Sequence, residues 1–395
     1  MTPDALFTPL TLPCGVVLKN RIVKSAMSDS LGDGRGDPTA AQSRLYRRWA
    51  EGGVAASIIG EVQGNPEAAE KPGNLVLSEG SDHAALQTLA QAGAAQGAQL
   101  WVQLGHAGAM AHPPISTPKG PSDLAIGSLR CAAMTTLDIT ALPFEFARTA
   151  AWAKAAGFGG VQVHAAHGFL LSQFLSPLFN RRSDAYGGRI ENRMRLLLEV
   201  IDAVRDAVGP DYPVAVKLNA SDQLEGGFDH EDALAVVAAL DRSPIDLIDI
   251  SGGTYFPGAR SASDSGGKGP YFIDFAKAAR ALTDMPLMLT GGIKTRAQAV
   301  DVRQSGVDLI GLARGLILSP SLPQLWWEEV ASDPQFPRFE NLPEGGVTAW
   351  YTMRMAHLAG AGPDYSPQDL PQALADYEAR DTQRAASWTA RFRGK

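Results

Sequence analysis

Short apolar runs alternate with longer segments of helical period through most of the chain, and this alternation predicts a repeated strand–helix unit. Strands are predicted at 21–24, 55–60, 99–104, 160–164, 214–218, 247–251, 287–290 and 309–312. Helices are predicted between them at 40–51, 82–96, 143–156, 192–208, 230–240, 272–282 and 295–304. Runs such as VAASIIG, DLIDIS and PLMLTGG are apolar at successive positions, as strands buried on both faces of a parallel sheet require. Several helices end in glycine or proline signals, as in AAGFGG from Ala155 and VGPDYP after Ala207.

A right-handed crossover repeated eight times closes a parallel sheet on itself, so the expected fold class is α/β, a (β/α)8 TIM barrel. An open doubly wound sheet is the alternative. It calls for a GxGxxG turn after the first strand, whereas the chain reads AMSDSLGDGRGD there, glycines that open a loop and not a helix. The expected organisation is a barrel over 1–330, with a long loop after the third strand at 105–140, and a helical extension over 331–395 packed on the barrel. Barrel active sites are built by the loops at the carboxyl ends of the strands, so 110–138 and 251–269 are the expected walls of a pocket.

Composition narrows the setting. At 395 residues and 45% hydrophobic content the chain can bury a large core without disulfide or metal. Its formal charge of −7 is spread over interspersed acids and bases, which argues against nucleic-acid or membrane-surface partners and leaves small molecules. Cys14 and Cys131 stand far apart without CxxC spacing, so no zinc or iron–sulfur site is expected from thiolates. The start of the chain has no signal-peptide pattern, and no apolar run approaches roughly 18 residues, so a cytoplasmic location is expected. Trp350, Tyr351 and Arg354 in the extension fit either docking on a second copy, as in a homo-oligomer, or an ordinary helical cap.

Two motifs carry chemistry. LTGGIKT closes the seventh strand and IGLARG the eighth, the position of the phosphate site in many barrels. There Gly291, Gly292, Gly311 and Ala313 bring backbone N–H groups close to a phosphate, and Arg314 adds a charge-assisted pair. The bland alternative is a set of turn glycines and a solvated arginine, and the motif alone does not choose among sugar phosphates, nucleotides and flavin mononucleotide. The second motif is His164 and His167, three apart at the end of the fourth strand, which can clamp and polarise a carbonyl, carboxylate or nitro oxygen. No nearby third ligand has the spacing that would make them a zinc pair.

Segments along most of residues 7–320 together resemble the Old Yellow Enzyme family of FMN-dependent ene-reductases: PLTLPCGVVLKNRIVKSAM, WVQLGHAG, FLSPLFNRRSDAYGGRIENR, LTGGIKT and GLARG. The resemblance implies FMN as cofactor and NADH or NADPH as co-substrate. It places FMN against Ala26, Met27 and Ser28 at the end of the first strand, with Ser28 near flavin O4. Gln103 would bond the pyrimidine edge of the ring and Lys217 would lie near N1 and O2, a place where the family often has arginine. Gly291, Gly292, Gly311, Ala313 and Arg314 would hold the phosphate. His164 and His167 would grip the activating group of an electron-poor acceptor, most simply an α,β-unsaturated carbonyl or nitro compound reduced at C=C. The family also has longer members with a four-iron cluster; with two cysteines this chain is expected to take electrons from NAD(P)H directly.

One landmark differs. The family pattern continues HGY, whose tyrosine protonates the substrate, but this chain has Phe169 there, and a phenyl ring has no acidic proton. Protonation would then come from solvent or from His106, Tyr255 or Tyr271. Alternatively the oxidant is a nitro group, a quinone or O2, or the enzyme runs as a dehydrogenase or oxidase. Two readings outside redox chemistry remain: an aldolase or isomerase with Lys217 as a Schiff-base lysine, and a barrel without catalysis. His106, Phe169 and Tyr255 are the expected lining of the substrate pocket.

Overall fold

The computed structural model describes residues 4–127, 129–256, 269–330, 333–340 and 343–394. Its eight barrel strands are β1 Ile22–Met27, β2 Ala56–Gln63, β3 Gln99–Leu104, β4 Gly160–Ala165, β5 Val214–Asn219, β6 Leu247–Ser251, β7 Leu287–Thr290 and β8 Leu309–Leu312. Each pairs in parallel with the next, and β8 returns to β1 with Ile310 opposite Ile22, so the sheet is closed. The expected strands are all present; β1 and β2 run three residues further at their carboxyl ends than their apolar pattern suggested.

The crossover helices are α1 Ala40–Glu51, α2 His83–Gly93, α3 Thr136–Ala155, α4 Arg195–Val208, α5 His230–Leu240, α6 Ile273–Arg280 and α7 Arg296–Gln304, with the short α8 Arg314–Leu318 after β8. Their apolar faces pack on the outside of the strands in one continuous core. Inside the barrel, Val23, Ile58, Trp101, Ala215, Leu247, Met288 and Leu309 form a second cluster together with Leu12 and Leu18, which flank or belong to the small hairpin Leu10–Thr11 and Val17–Leu18. The polar groups described below lie further along these strands, toward their carboxyl ends.

Helix α3 begins well before the expected residue 143. Thr135 accepts from the Asp138 N–H at 3.1 Å while Asp138 accepts from the Thr135 N–H at 2.8 Å, a reciprocal cap that starts the helix ahead of Pro143. The cap at Thr135 sets the start, and Pro143 lies inside the helix. The loop after β3 is correspondingly more regular than expected. It holds the short strands Lys119–Gly120, Leu124–Ile126 and Leu129–Ala133, joined as one small sheet.

Beyond residue 330 lie α9 Gly346–Leu358 and α10 Leu370–Phe392. Trp350 and Tyr351 are buried within this chain, where Trp350 Nε1 donates to the Tyr365 carbonyl at 3.1 Å. Arg354 pairs with Asp364. Helix α10 lies across the loops that follow β1, β2 and β3: Arg384 bonds the Ser30 carbonyl, Arg391 the Gly80 carbonyl and Arg393 the Pro114 carbonyl. Trp388 is fully buried against Ala69, Val76 and Ile115.

Candidate active site

His164 stands opposite Lys217 in the β4–β5 ladder, next to the carboxyl end of β4. Three residues on, His167 has φ 62°, left-handed backbone that a non-glycine residue adopts only under constraint. The constraints are identifiable. Its N–H donates to Asn219 Oδ1 at 3.1 Å and its carbonyl accepts from the Tyr255 N–H at 3.1 Å. The turn brings the two imidazoles to 5.2 Å between ring centres, edge to face.

Burial pushes the His164 imidazole down to about 3, and the Lys217 charge adds to the effect. Burial also takes His167 well below its ordinary value, with His164 and Lys217 as further causes. Both rings are therefore neutral at physiological pH, each with one N–H and one bare nitrogen. His167 Nε2 lies 2.8 Å from Ser251 Oγ, and His164 Nε2 lies 3.3 Å from Glu61 Oε1. His164 Nδ1 is buried with no hydrogen-bond partner among the described residues.

Phe169 is 2% exposed, its ring 4.9 Å from that of His164, and Tyr255 lies 5.8 Å from His167 and 6.1 Å from Phe169. His106 is lowered to about 4 by burial; its Nδ1 accepts from the Gly108 N–H at 3.0 Å, and its carbonyl accepts from the Leu170 N–H, tying the loops after β3 and β4 together. Tyr271 is placed elsewhere, against Gly291 and Gly292. Of the expected wall over 251–269, residues 257–268 lie outside the described residues.

Gln103 and Lys217, 2% and 1% exposed, belong to one polar network across the barrel. Gln103 Nε2 donates to Gln162 Oε1 at 2.7 Å, and Gln162 Nε2 donates to Asp249 Oδ2 at 3.0 Å. Lys217 Nζ pairs with the same Asp249 oxygen, while Thr290 Oγ1 donates to Asp249 Oδ1 at 2.7 Å. This network fixes the Gln103 amide with its nitrogen engaged and its oxygen without a protein partner among the described residues. Ala26, Met27 and Ser28 are half-buried at the end of β1, and the Ser28 hydroxyl has no protein partner among the described residues.

At the ends of β7 and β8 the backbone N–H groups of Gly292, Ala313 and Arg314 meet no acceptor among the described residues, while Gly291 continues the β7–β8 ladder past the Thr290–Gly311 pair. Gly292 has φ 76°, and a Cβ there would come within 2.0 Å of the Gly269 carbonyl oxygen, so the turn admits only glycine. Gly311 lies in β8 beside the Thr290 and Ser25 hydroxyls. The Arg314 guanidinium sits 5.0 Å from the centre of the Tyr351 ring and has no anionic partner among the described residues. Three unpaired backbone donors beside an unpaired guanidinium fit a phosphate group. A buried amide oxygen, a paired ammonium and a bare hydroxyl at the neighbouring strand ends fit the polar edge of a flavin ring. Among the described residues, no three His, Cys, Asp or Glu side chains are grouped to hold a metal ion, and no helix is long and apolar enough to cross a membrane.

The residues that sequence reasoning missed are Glu61, Gln162 and Asp249. Their signal was available: a charged or amide side chain within an otherwise apolar, fully buried strand has to be paired or functional.

Residues 5–331 match the model of the NADH:flavin oxidoreductase / NADH oxidase family. A relative from Hypocrea jecorina named NADH-dependent flavin oxidoreductase iliE is 34% identical over 80% of this chain and 87% of its own length. Its namesake from Neonectria sp. has the same identity, but the chain spans only 46% of it. NADPH dehydrogenase of Bacillus licheniformis is 35% identical over 82% of this chain and 94% of its own. Among solved structures, 2-naphthoyl-CoA reductase superposes with TM-score 0.77 at 26% identity, over 82% of this chain and 52% of that one. Morphinone reductase in complex with tetrahydroNAD gives TM-score 0.71 at 27% identity, over 85% and 93%.

Proposed function

Because the chain belongs to the NADH:flavin oxidoreductase / NADH oxidase family, the Old Yellow Enzyme group of FMN-dependent oxidoreductases served by NADH or NADPH, we propose that it reduces the C=C bond of α,β-unsaturated carbonyl or nitro compounds. The observation that carries this reading is the pair of neutral buried histidines at the end of β4, their rings 5.2 Å apart. FMN, when bound, supplies the hydride carrier between nicotinamide and acceptor.

The chain's own residues hold and polarise. Gly292, Ala313 and Arg314 take the phosphate with N–H donors already oriented, and Tyr351 keeps the guanidinium in place from the side. Gln103 offers an acceptor to the ring edge, fixed by Gln162, and Lys217 offers a cation whose charge Asp249 balances. Ser28 offers a hydroxyl at the end of β1. His164 and His167 donate hydrogen bonds to the acceptor oxygen; being neutral, they polarise it without requiring a buried positive charge. Buried Phe169 and neighbouring Tyr255 form the apolar side of the same space.

Phe169 favours a second reading, in which the acceptor is a quinone or nitro group that needs no proton from this position. The two readings separate in the Phe169→Tyr variant. If an alkene is the acceptor, the new hydroxyl raises cyclohexenone turnover by about tenfold, less than the ~10²–10⁴ of a well-placed general acid because the pocket is shaped for phenyl. Unchanged enone turnover alongside fast quinone or nitro reduction by both proteins would favour the second reading.

A further inference from the structure

We propose that Tyr255 is the proton donor of the reaction, giving its phenolic hydrogen to the α-carbon of the acceptor in place of the tyrosine that position 169 lacks. The inference rests on the alkene reading above.

The loop after β6 is bound onto the turn after β4. The Tyr255 N–H donates to the His167 carbonyl at 3.1 Å, Thr254 Oγ1 donates to the same oxygen at 3.4 Å, and Thr254 forms a parallel bridge with His167. Gly168 makes the approach possible: it has φ 81°, and a Cβ there would lie 2.1 Å from Thr254 Oγ1. The Asn219 amide donates to the Gly253 carbonyl at 2.8 Å, and its oxygen accepts from the His167 N–H. One asparagine therefore sets the backbone of the histidine and of the loop that carries the tyrosine.

So fixed, the Tyr255 ring stands edge-on to His167 and to Phe169, at 5.8 and 6.1 Å between centres. Phe169 is sealed from solvent, whereas Tyr255 is 58% exposed and His167 is half-buried. A molecule that enters beside His167 meets Tyr255 before Phe169. The two other candidate donors drop out by place and by state. Tyr271 packs against Gly291 and Gly292 at the end of β7, and His106, lowered to about 4 by burial, is neutral at physiological pH with no acidic hydrogen to give.

Hydride addition to the β-carbon leaves an electron pair shared between the α-carbon and the carbonyl oxygen. That pair forms the new C–H bond at the α-carbon as the phenolic O–H bond breaks. The resulting phenolate takes a proton from water, which reaches an exposed side chain. The sum is one hydride and one proton added across C=C, with the tyrosine regenerated. A phenol of pKa about 10 keeps its proton at neutral pH and is still a stronger acid than the C–H bond it creates.

The test is the reduction of 2-methylcyclohexenone and of a naphthoquinone by wild type and by Tyr255→Phe, with kcat and the configuration at the new α-centre both measured. Tyr255 is exposed, so the variant keeps the fold. Expected is a fall of about 10² in enone kcat, about tenfold or more beyond any fall with the quinone, whose oxygens take protons from water. The configuration at the α-carbon, set by one fixed donor in wild type, becomes mixed. Adding Phe169→Tyr to Tyr255→Phe raises enone turnover by a larger factor than it does in wild type, because the two hydroxyls do one job. Unchanged enone turnover and configuration in Tyr255→Phe, or an equal loss on enone and quinone, overturns the proposal while leaving the alkene reading in place. A wild type that reduces the quinone and no enone contradicts the alkene reading itself, and this role falls with it.

Discussion

His164→Ala lowers kcat for enone reduction by about 10²–10³, and His167→Ala does the same, because each removes one of two preoriented donors from a buried site. Loss of one such donor costs about 3–4 kcal/mol in the transition state, and water entering the vacated space does not replace a fixed N–H. The double variant falls short of the product of the single effects. The two rings lie 5.2 Å apart and act on one oxygen, so once the first is gone the second no longer holds the acceptor in register. Steady-state kinetics on the four proteins, with FMN content measured for each, check this. FMN occupancy should stay near wild type, since neither histidine belongs to the phosphate cradle. Additive losses, or losses that follow FMN content, would show that the pair does not work as a clamp.

Lys217→Met costs about 3–5 kcal/mol of stability, since it leaves Asp249 buried beside Thr290 and Gln162 without its cation. Lys217 and Asp249 have 1% and 0% side-chain exposure, so solvent offers no compensation. Removing both charges in Lys217→Met/Asp249→Leu should recover most of that stability, because a well-packed apolar pair often equals a buried ion pair. It should not recover function: the ring edge then meets no positive charge, and flavin reduction by NAD(P)H stays slow. Chemical denaturation together with single-turnover flavin reduction separates the two effects. A double variant as fast as wild type would mean that Lys217 serves only the fold.

The barrel was legible because its signals are local and repeated. Strands such as VAASIIG and DLIDIS are apolar on both faces, and glycine or proline punctuates the ends of the helices between them. The phosphate end was legible for a similar reason, since a left-handed turn at Gly292 admits one residue type. Glu61 was not. A charge in a buried strand marks it for attention, but where its carboxyl goes depends on a bulge in β2 and on the space at Gly105, two features more than forty positions apart that meet only after the sheet has closed. Asp249 was hidden inside the run DLIDIS, whose apolar neighbours mask it; its partners come from β4, β5 and β7. The early start of α3 was missed because its first turns, from Thr136 to Leu142, follow directly on the loop sequence after β3 and are set by the Thr135–Asp138 cap. The tail aromatics were ambiguous in sequence, and the structure gives them partners within the chain, Tyr351 against Arg314 among them.

The central claim is that FMN lies across the carboxyl ends of these strands, its phosphate at Gly291, Gly292, Ala313 and Arg314. The direct measurement is the visible spectrum of the purified protein after incubation with FMN and gel filtration, followed by anaerobic addition of NADH or NADPH. The account predicts one tightly held FMN per chain, a yellow band that bleaches with nicotinamide and returns with cyclohexenone. A colourless protein that retains no FMN would contradict it.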